Sequence, residues 1–98
     1  MSKIHIIDDK EPTLEELQKL VGGYIEVKYL DFDRKFTGPD KGMQLVMNEE
    51  ALIYQLPLNT KAMDYIQKLL DNHIKTAGYK LLPIYGDVVI LKGKGKLT

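Results

Sequence analysis

The residues able to carry acid–base, nucleophilic or metal chemistry are few and separated in this sequence. The 98-residue chain holds two histidines, His5 and His73, one serine, Ser2, and no cysteine. A transition-metal centre needs several converging His, Cys or carboxylate ligands. His5 falls in an extended segment. His73 falls on a helix, where Asp71 is two positions away and off its face. Nucleophilic catalysis needs Ser, Cys or Thr beside a base. Ser2 stands at a terminus, and Thr13 is better used as a helix cap. Thr37, Thr60, Thr76 and Thr98 come without a base at a useful spacing. Carboxylates occur in pairs, Asp8/Asp9, Glu15/Glu16, Asp31/Asp33 and Glu49/Glu50. These fall in turns or at a helix start, where they serve solubility, capping and the helix dipole. Asp31-Phe32-Asp33 lacks the following glycine and terminal glutamate of a calcium loop. Gly22-Gly23 follows a helix and acts as its stop, so it is no dinucleotide fingerprint, and no Walker-type loop is present. The chain is therefore expected to be no enzyme, with no catalytic residue, metal ligand or cofactor.

Binding chemistry is better represented. Lys92-Gly93-Lys94-Gly95-Lys96 is the most phosphate-friendly segment, because glycine permits close approach and lysine adds charge. Tyr24, beside Gly23, and Tyr85, beside Gly86, are the candidates to stack on a base, the alternative for each being core or half-buried packing. Asn59 and Asp87 carry the polar groups suited to reading a base or ribose. Three compact polar turns adjoin confident strands: Asn48-Glu49-Glu50, Leu56-Pro57-Leu58-Asn59 and Tyr85-Gly86-Asp87. Loops held by a rigid scaffold are where binding groups tend to sit. The expected ligand-binding set is thus Tyr24, Asn59, Tyr85, Asp87, Lys92 and Lys94.

These residues need elements to hold them. Residues 3–7 read as a first strand, rich in isoleucine. Thr13 and Glu16 form a capping box for a helix whose stripe, Leu14, Leu17, Leu20 and Val21, needs a core partner. Gly22 and Gly23 stop it. Residues 24–30 alternate, with Ile25, Val27 and Tyr29 on one face and Tyr24, Glu26 and Lys28 on the other, which predicts a sheet with one wet face. Residues 31–42 read as a flexible polar loop. Residues 43–47 and 52–56 read as further strands, separated by a turn. A second helix runs from Asn59-Thr60 to about Ala77, with Met63, Ile66, Leu69, Leu70, Ile74 and Ala77 on one side and Gly78 as its stop. Residues 81–84 form a short extended piece. Residues 87–91, Asp-Val-Val-Ile-Leu, predict a central, fully buried strand. Residues 92–98 leave the fold as a flexible basic tail. The expected class is α+β in one domain: a mainly antiparallel sheet with two helices packed on it, in the order β-α-β-β-β-α-β.

Composition narrows the partners. Hydrophobic residues make up 44% and charged residues 29%, which is ordinary for a globular domain. The 14 basic and 14 acidic side chains cancel, which argues against a duplex nucleic-acid partner. The first fifty residues hold 7 basic and 11 acidic groups and the remainder 7 and 3, so an uneven surface field is expected. No stretch is long enough to cross a bilayer and no signal peptide precedes the first strand, so a cytoplasmic location, without membrane attachment, is expected.

Four ordered motifs carry a resemblance: Leu20-Val21-Gly22-Gly23-Tyr24-Ile25-Glu26-Val27, Asn48-Glu49-Glu50, Leu56-Pro57-Leu58-Asn59 and Gly86-Asp87-Val88-Val89-Ile90-Leu91. In this order they resemble a family of small domains of unknown function frequent in bacteriophages and mobile elements. The stretch 61–78 and the loop 32–42 are longer here than in typical members. The resemblance implies a phage or mobile-element setting within a bacterial host cytosol, and no established activity. Small phage proteins of similar size sequester cyclic nucleotide or cyclic ADP-ribose signals of host defence. The expected function is therefore a non-enzymatic anti-defence sponge for a small nucleotide, acting as a homo-oligomer. The alternative is a protein-binding inhibitor or regulator of a host factor.

Overall fold

The computed structural model describes residues 2–31, 36–73 and 83–97. Four strands, β1 (Ile4–Ile7), β2 (Ile25–Tyr29), β3 (Gln44–Asn48) and β4 (Val88–Leu91), form one sheet in the order β1-β4-β3-β2. Two helices, α1 (Leu14–Val21) and α2 (Thr60–His73), pack on it. β2–β3 and β3–β4 are antiparallel and β1–β4 is parallel, so the fold is α+β with a mainly antiparallel sheet, as expected.

The apolar run Val88-Val89-Ile90-Leu91 is buried at every position, and this strand is central. Its alternate side chains enter two separate cores. Val88 and Ile90 join Leu45, Met43 and the α2 residues Ala62, Ile66, Leu69 and Leu70. Val89 and Leu91 join Val46 and the α1 residues Leu17 and Val21. The helices therefore cover opposite faces, whereas the alternation in residues 24–30 suggested one wet face. That alternation belongs to an edge strand. Glu26 and Lys28 are exposed and so is Tyr29, while Ile25 and Val27 pack towards α1. A continuous apolar strand, by contrast, requires cover on both sides.

α1 is capped as its sequence dictates. Thr13 Oγ1 accepts from the Glu16 N–H at 3.2 Å, and the Glu16 carboxylate accepts from the Thr13 N–H at 3.3 Å. Gly22, at φ 80°, closes the helix in the left-handed conformation. Leu14, expected on the buried stripe, is exposed instead: it opens the helix beyond the reach of the sheet. The expected helix residues Ile74, Ala77 and Gly78, and the start of the extended piece at residue 81, lie outside the described residues.

Three further expectations are corrected. Residues 52–56 form turns rather than a strand, and among the described residues between β3 and α2 extended pairing reduces to the bridge of Leu58 with Tyr85. The glycine-lysine segment does not leave the fold. Lys92 N–H donates to Ile7 O at 3.1 Å, and Gly93–Gly95 forms a 3-10 turn. Gly95 lies so close to Ile7 O that a Cβ there has no room. The Gln44 side chain then clamps Leu97 from both sides: Oε1 accepts from Leu97 N–H at 2.7 Å and Nε2 donates to Leu97 O at 3.1 Å. The described residues of the connection after β2, 36–42, are likewise held in place. The buried Asp31 carboxylate accepts from the N–H groups of Phe36, at 3.0 Å, and Gly42, at 2.9 Å. It is a structural carboxylate, not a solubilising one.

Candidate functional site

The entrance of β4, the end of β3, the end of α1 and the approach to α2 meet at one end of the sheet. There they enclose an open groove of about 470 Å³. Its walls are Leu20, Val21 and Gly22 from α1 and its cap, Asn48 from β3, Tyr54 and Leu56 from the following turns, and Gly86 and Asp87 before β4. A smaller groove of about 260 Å³ adjoins it, sharing Gly22 and Tyr54 and adding Tyr24 and Glu50. All four sequence motifs supply residues to this one end.

The most unusual element here is residues 48–56. Asn48 is buried, and its Oδ1 accepts from Glu50 N–H at 2.8 Å while its Nδ2 donates to Val21 O at 3.2 Å. Asn48 thus caps a single helical turn and ties it to the end of α1. Tyr54 N–H donates to Glu50 O at 3.1 Å. The turn closes when Leu56 N–H donates to Ala51 O at 3.0 Å and Gln55 N–H to Leu52 O at 3.3 Å. That is a Schellman closure. Its left-handed position is occupied by Gln55, at φ 54°, where glycine is the usual residue. Ala51 points inward, and Leu52, Ile53 and Tyr54 stand in solvent at 73%, 74% and 61% exposure.

This turn escaped the sequence reading because Ala-Leu-Ile-Tyr-Gln-Leu has the composition of a strand. The signal that could have found it is Asn48-Glu49-Glu50, an N-cap residue followed by acidic residues suited to a helix start.

The six expected ligand residues do not assemble. Tyr24 is exposed on the smaller groove, and Asp87 lines the larger one with its Oδ1 accepting from Lys3 N–H at 2.7 Å. Tyr85 is half-buried beside Leu58. Asn59 is buried and its amide is engaged by the fold: Nδ2 donates to Gly86 O at 2.8 Å and Lys3 O at 3.0 Å, and Oδ1 accepts from Ala62 N–H at 3.0 Å. It caps α2 and has no N–H left to donate to a base. Lys92 and Lys94 follow β4, so they lie across the length of that strand from Asp87. They line a separate groove with Asp8 and Asp9, whose carboxylates oppose anion binding. Sequence spacing could not separate these ends, because the two motifs flank one short strand.

His73 is also more than a surface histidine. Its Nε2 lies 2.9 Å from Asp40 Oδ2, its Nδ1 accepts from Thr37 N–H at 3.4 Å, and its ring stacks on Phe36. The pair fastens the loop before β3 to the end of α2. Among the described residues no three His, Asp or Glu side chains converge as metal ligands. No helix among them is long and apolar enough to cross a membrane.

No curated protein and no solved structure matches the chain. A family model described as a domain of unknown function, DUF3846, matches residues 1–98.

Proposed function

The chain belongs to the DUF3846 family, and we propose that it is a non-enzymatic binding module that docks a partner protein through the capped turn 48–56. The observation that carries this reading is the exposure of Leu52, Ile53 and Tyr54 on a turn fastened at both ends. Three consecutive large apolar side chains in water are costly, at about 25 cal/mol for each Å² of apolar area that binding would cover. A flexible loop would fold them inward. Here the caps hold them outward, so little ordering entropy is lost on docking. Tyr24 extends the surface across the smaller groove, and tyrosine is a frequent interface anchor. On the phage or mobile-element setting that the family resemblance implies, the partner is a cytosolic host factor.

A second reading, sequestration of a small nucleotide-type signal, is favoured by one observation. Tyr24 and Tyr54 line the same groove, where two rings can flank a base. Against it stand the distant lysines Lys92 and Lys94 and the committed amide of Asn59.

The test places a photo-crosslinking amino acid at position 53 and irradiates the chain in the cells that carry it. A discrete adduct with one cytosolic protein, lost when Tyr54 is changed to Ala, supports the docking reading. Adducts indistinguishable from those of a control crosslinker at position 10 overturn it. A thermal-shift panel of cyclic dinucleotides, cyclic oligonucleotides and ADP-ribose derivatives tests the second reading. A shift abolished by Tyr24→Ala and by Tyr54→Ala supports sequestration, and no shift removes it.

A further inference from the structure

β2 is an edge strand whose outer backbone is unpaired among the described residues. Leu30 N–H donates to Met43 O, and Tyr24 O accepts from Glu49 N–H. Even-numbered residues of this strand therefore turn their backbone groups towards β3. Ile25, Val27 and Tyr29 turn theirs outward, because the two directions alternate along an antiparallel pair.

The side chains along this edge have a matching order. Read against its own reverse about Val27, the strand sets Tyr24 opposite Leu30, Ile25 opposite Tyr29 and Glu26 opposite Lys28. Every opposed pair is complementary: aromatic with aliphatic twice, acid with base once, and valine with itself. Glu26 and Lys28 stand about half exposed at 3.9 Å from each other, with neither engaged by another side chain among the described residues. Tyr29 is exposed at the sheet margin, where Ile25 of a second strand would cover it. β1, the other edge strand, has no pair of opposite charges within its span.

We infer that two copies of this chain associate through β2, antiparallel about a twofold axis at Val27, to form one continuous eight-stranded sheet. The register agrees with the backbone directions. The outward N–H and C=O of Val27 exchange bonds with the partner's Val27, and those of Ile25 with the partner's Tyr29. Glu26 meets the partner's Lys28, and Lys28 the partner's Glu26. A twofold interface must be self-complementary, and this strand is. The pairing also answers a general hazard, since an open edge otherwise templates uncontrolled association.

Charge reversal tests this in the full chain. Glu26→Lys sets like charges opposite each other at both symmetric pairs, as does Lys28→Glu. Each single variant is expected to weaken dimerisation about tenfold or more, measured by sedimentation velocity over a wide concentration range. The double variant Glu26→Lys/Lys28→Glu restores the dimer, and so does mixing the two single variants. Hydrogen exchange gives an independent readout that needs no substitution. The amides of Ile25, Val27 and Tyr29 gain protection as concentration rises, while amides elsewhere on the surface do not. A wild-type chain that stays monomeric overturns the inference. So does a dimer indifferent to either reversal, a mixture that fails to associate, or an edge that gains no protection.

Discussion

The side-chain amide of Asn59 donates to the carbonyl of Gly86 at 2.8 Å, joining the cap of α2 to the entrance of β4. The same amide donates to Lys3 O, and Gly86 N–H donates in turn to Pro57 O at 2.8 Å. One side chain thus holds three stretches of chain far apart in sequence. It holds Gly86, which lines the larger groove, without lining that groove itself.

Asn59→Ala leaves the buried Gly86 carbonyl and the Ala62 N–H without this partner, while Lys3 O keeps its bond from Val88 N–H. Stability is expected to fall by about 2–4 kcal/mol in urea unfolding, combining loss of a cap with unsatisfied buried groups. Asn59→Asp is expected to fall by a similar amount, since a carboxylate cannot donate to either carbonyl.

Gly86→Ala combines two faults. Gly86 adopts φ 77°, and an added Cβ would lie 2.7 Å from Leu56 Cδ1. The expected loss is about 2–3 kcal/mol. In the Leu56→Ala background the steric part disappears and the backbone part remains. A double-mutant cycle in thermal or urea unfolding should therefore show positive coupling of about 1 kcal/mol.

The fold was legible where one physical cause acts alone. Thr13 with Glu16, the glycine stop at Gly22 and the apolar run of β4 each specify their element from local chemistry. Legibility failed where tertiary contacts decide. Residues 92–97 look like a solvated tail until Gln44, forty-eight positions before Lys92, supplies the clamp for Leu97. Residues 52–56 look like a strand until Asn48 and the end of α1 fix them as a turn. Of the expected ligand residues, Tyr24 and Asp87 do reach the grooves, because both flank strands that end there. The capping role of Asn59 is not visible in the sequence, because a capping asparagine and a ligand-reading asparagine are the same residue there.

Gln55→Gly should stabilise the chain. Gln55 holds φ 54° at a position that glycine occupies at less steric cost. Relief of that strain, less the added freedom of the unfolded chain, is expected to give about 0.5–1 kcal/mol in urea unfolding.

Ile53→Asp should leave stability within about 0.5 kcal/mol, because the side chain is already in water. The same substitution should remove the crosslinked adduct. A large loss of stability would show instead that Ile53 packs within the domain, and the docking surface would have to be redrawn.

Gln44→Ala should free the last turn. Its amide is buried and makes both bonds to Leu97. Hydrogen exchange at Gly95 and Leu97 is expected to accelerate, with a stability loss of about 1–3 kcal/mol.

The parallel pairing of β1 with β4 has a mechanical consequence. Lys3 and Ile7 carbonyls accept from Val88 and Lys92 N–H groups, so the two strands are stitched along their whole common length. A force pulling before Ile4 and after Leu91 would draw the strands past each other, along their own direction. The stitches would then bear the load together and break together, whereas strands peeled apart surrender one bond at a time. The protein should resist extension through its ends, a resistance set by the rate of unfolding rather than by its equilibrium stability.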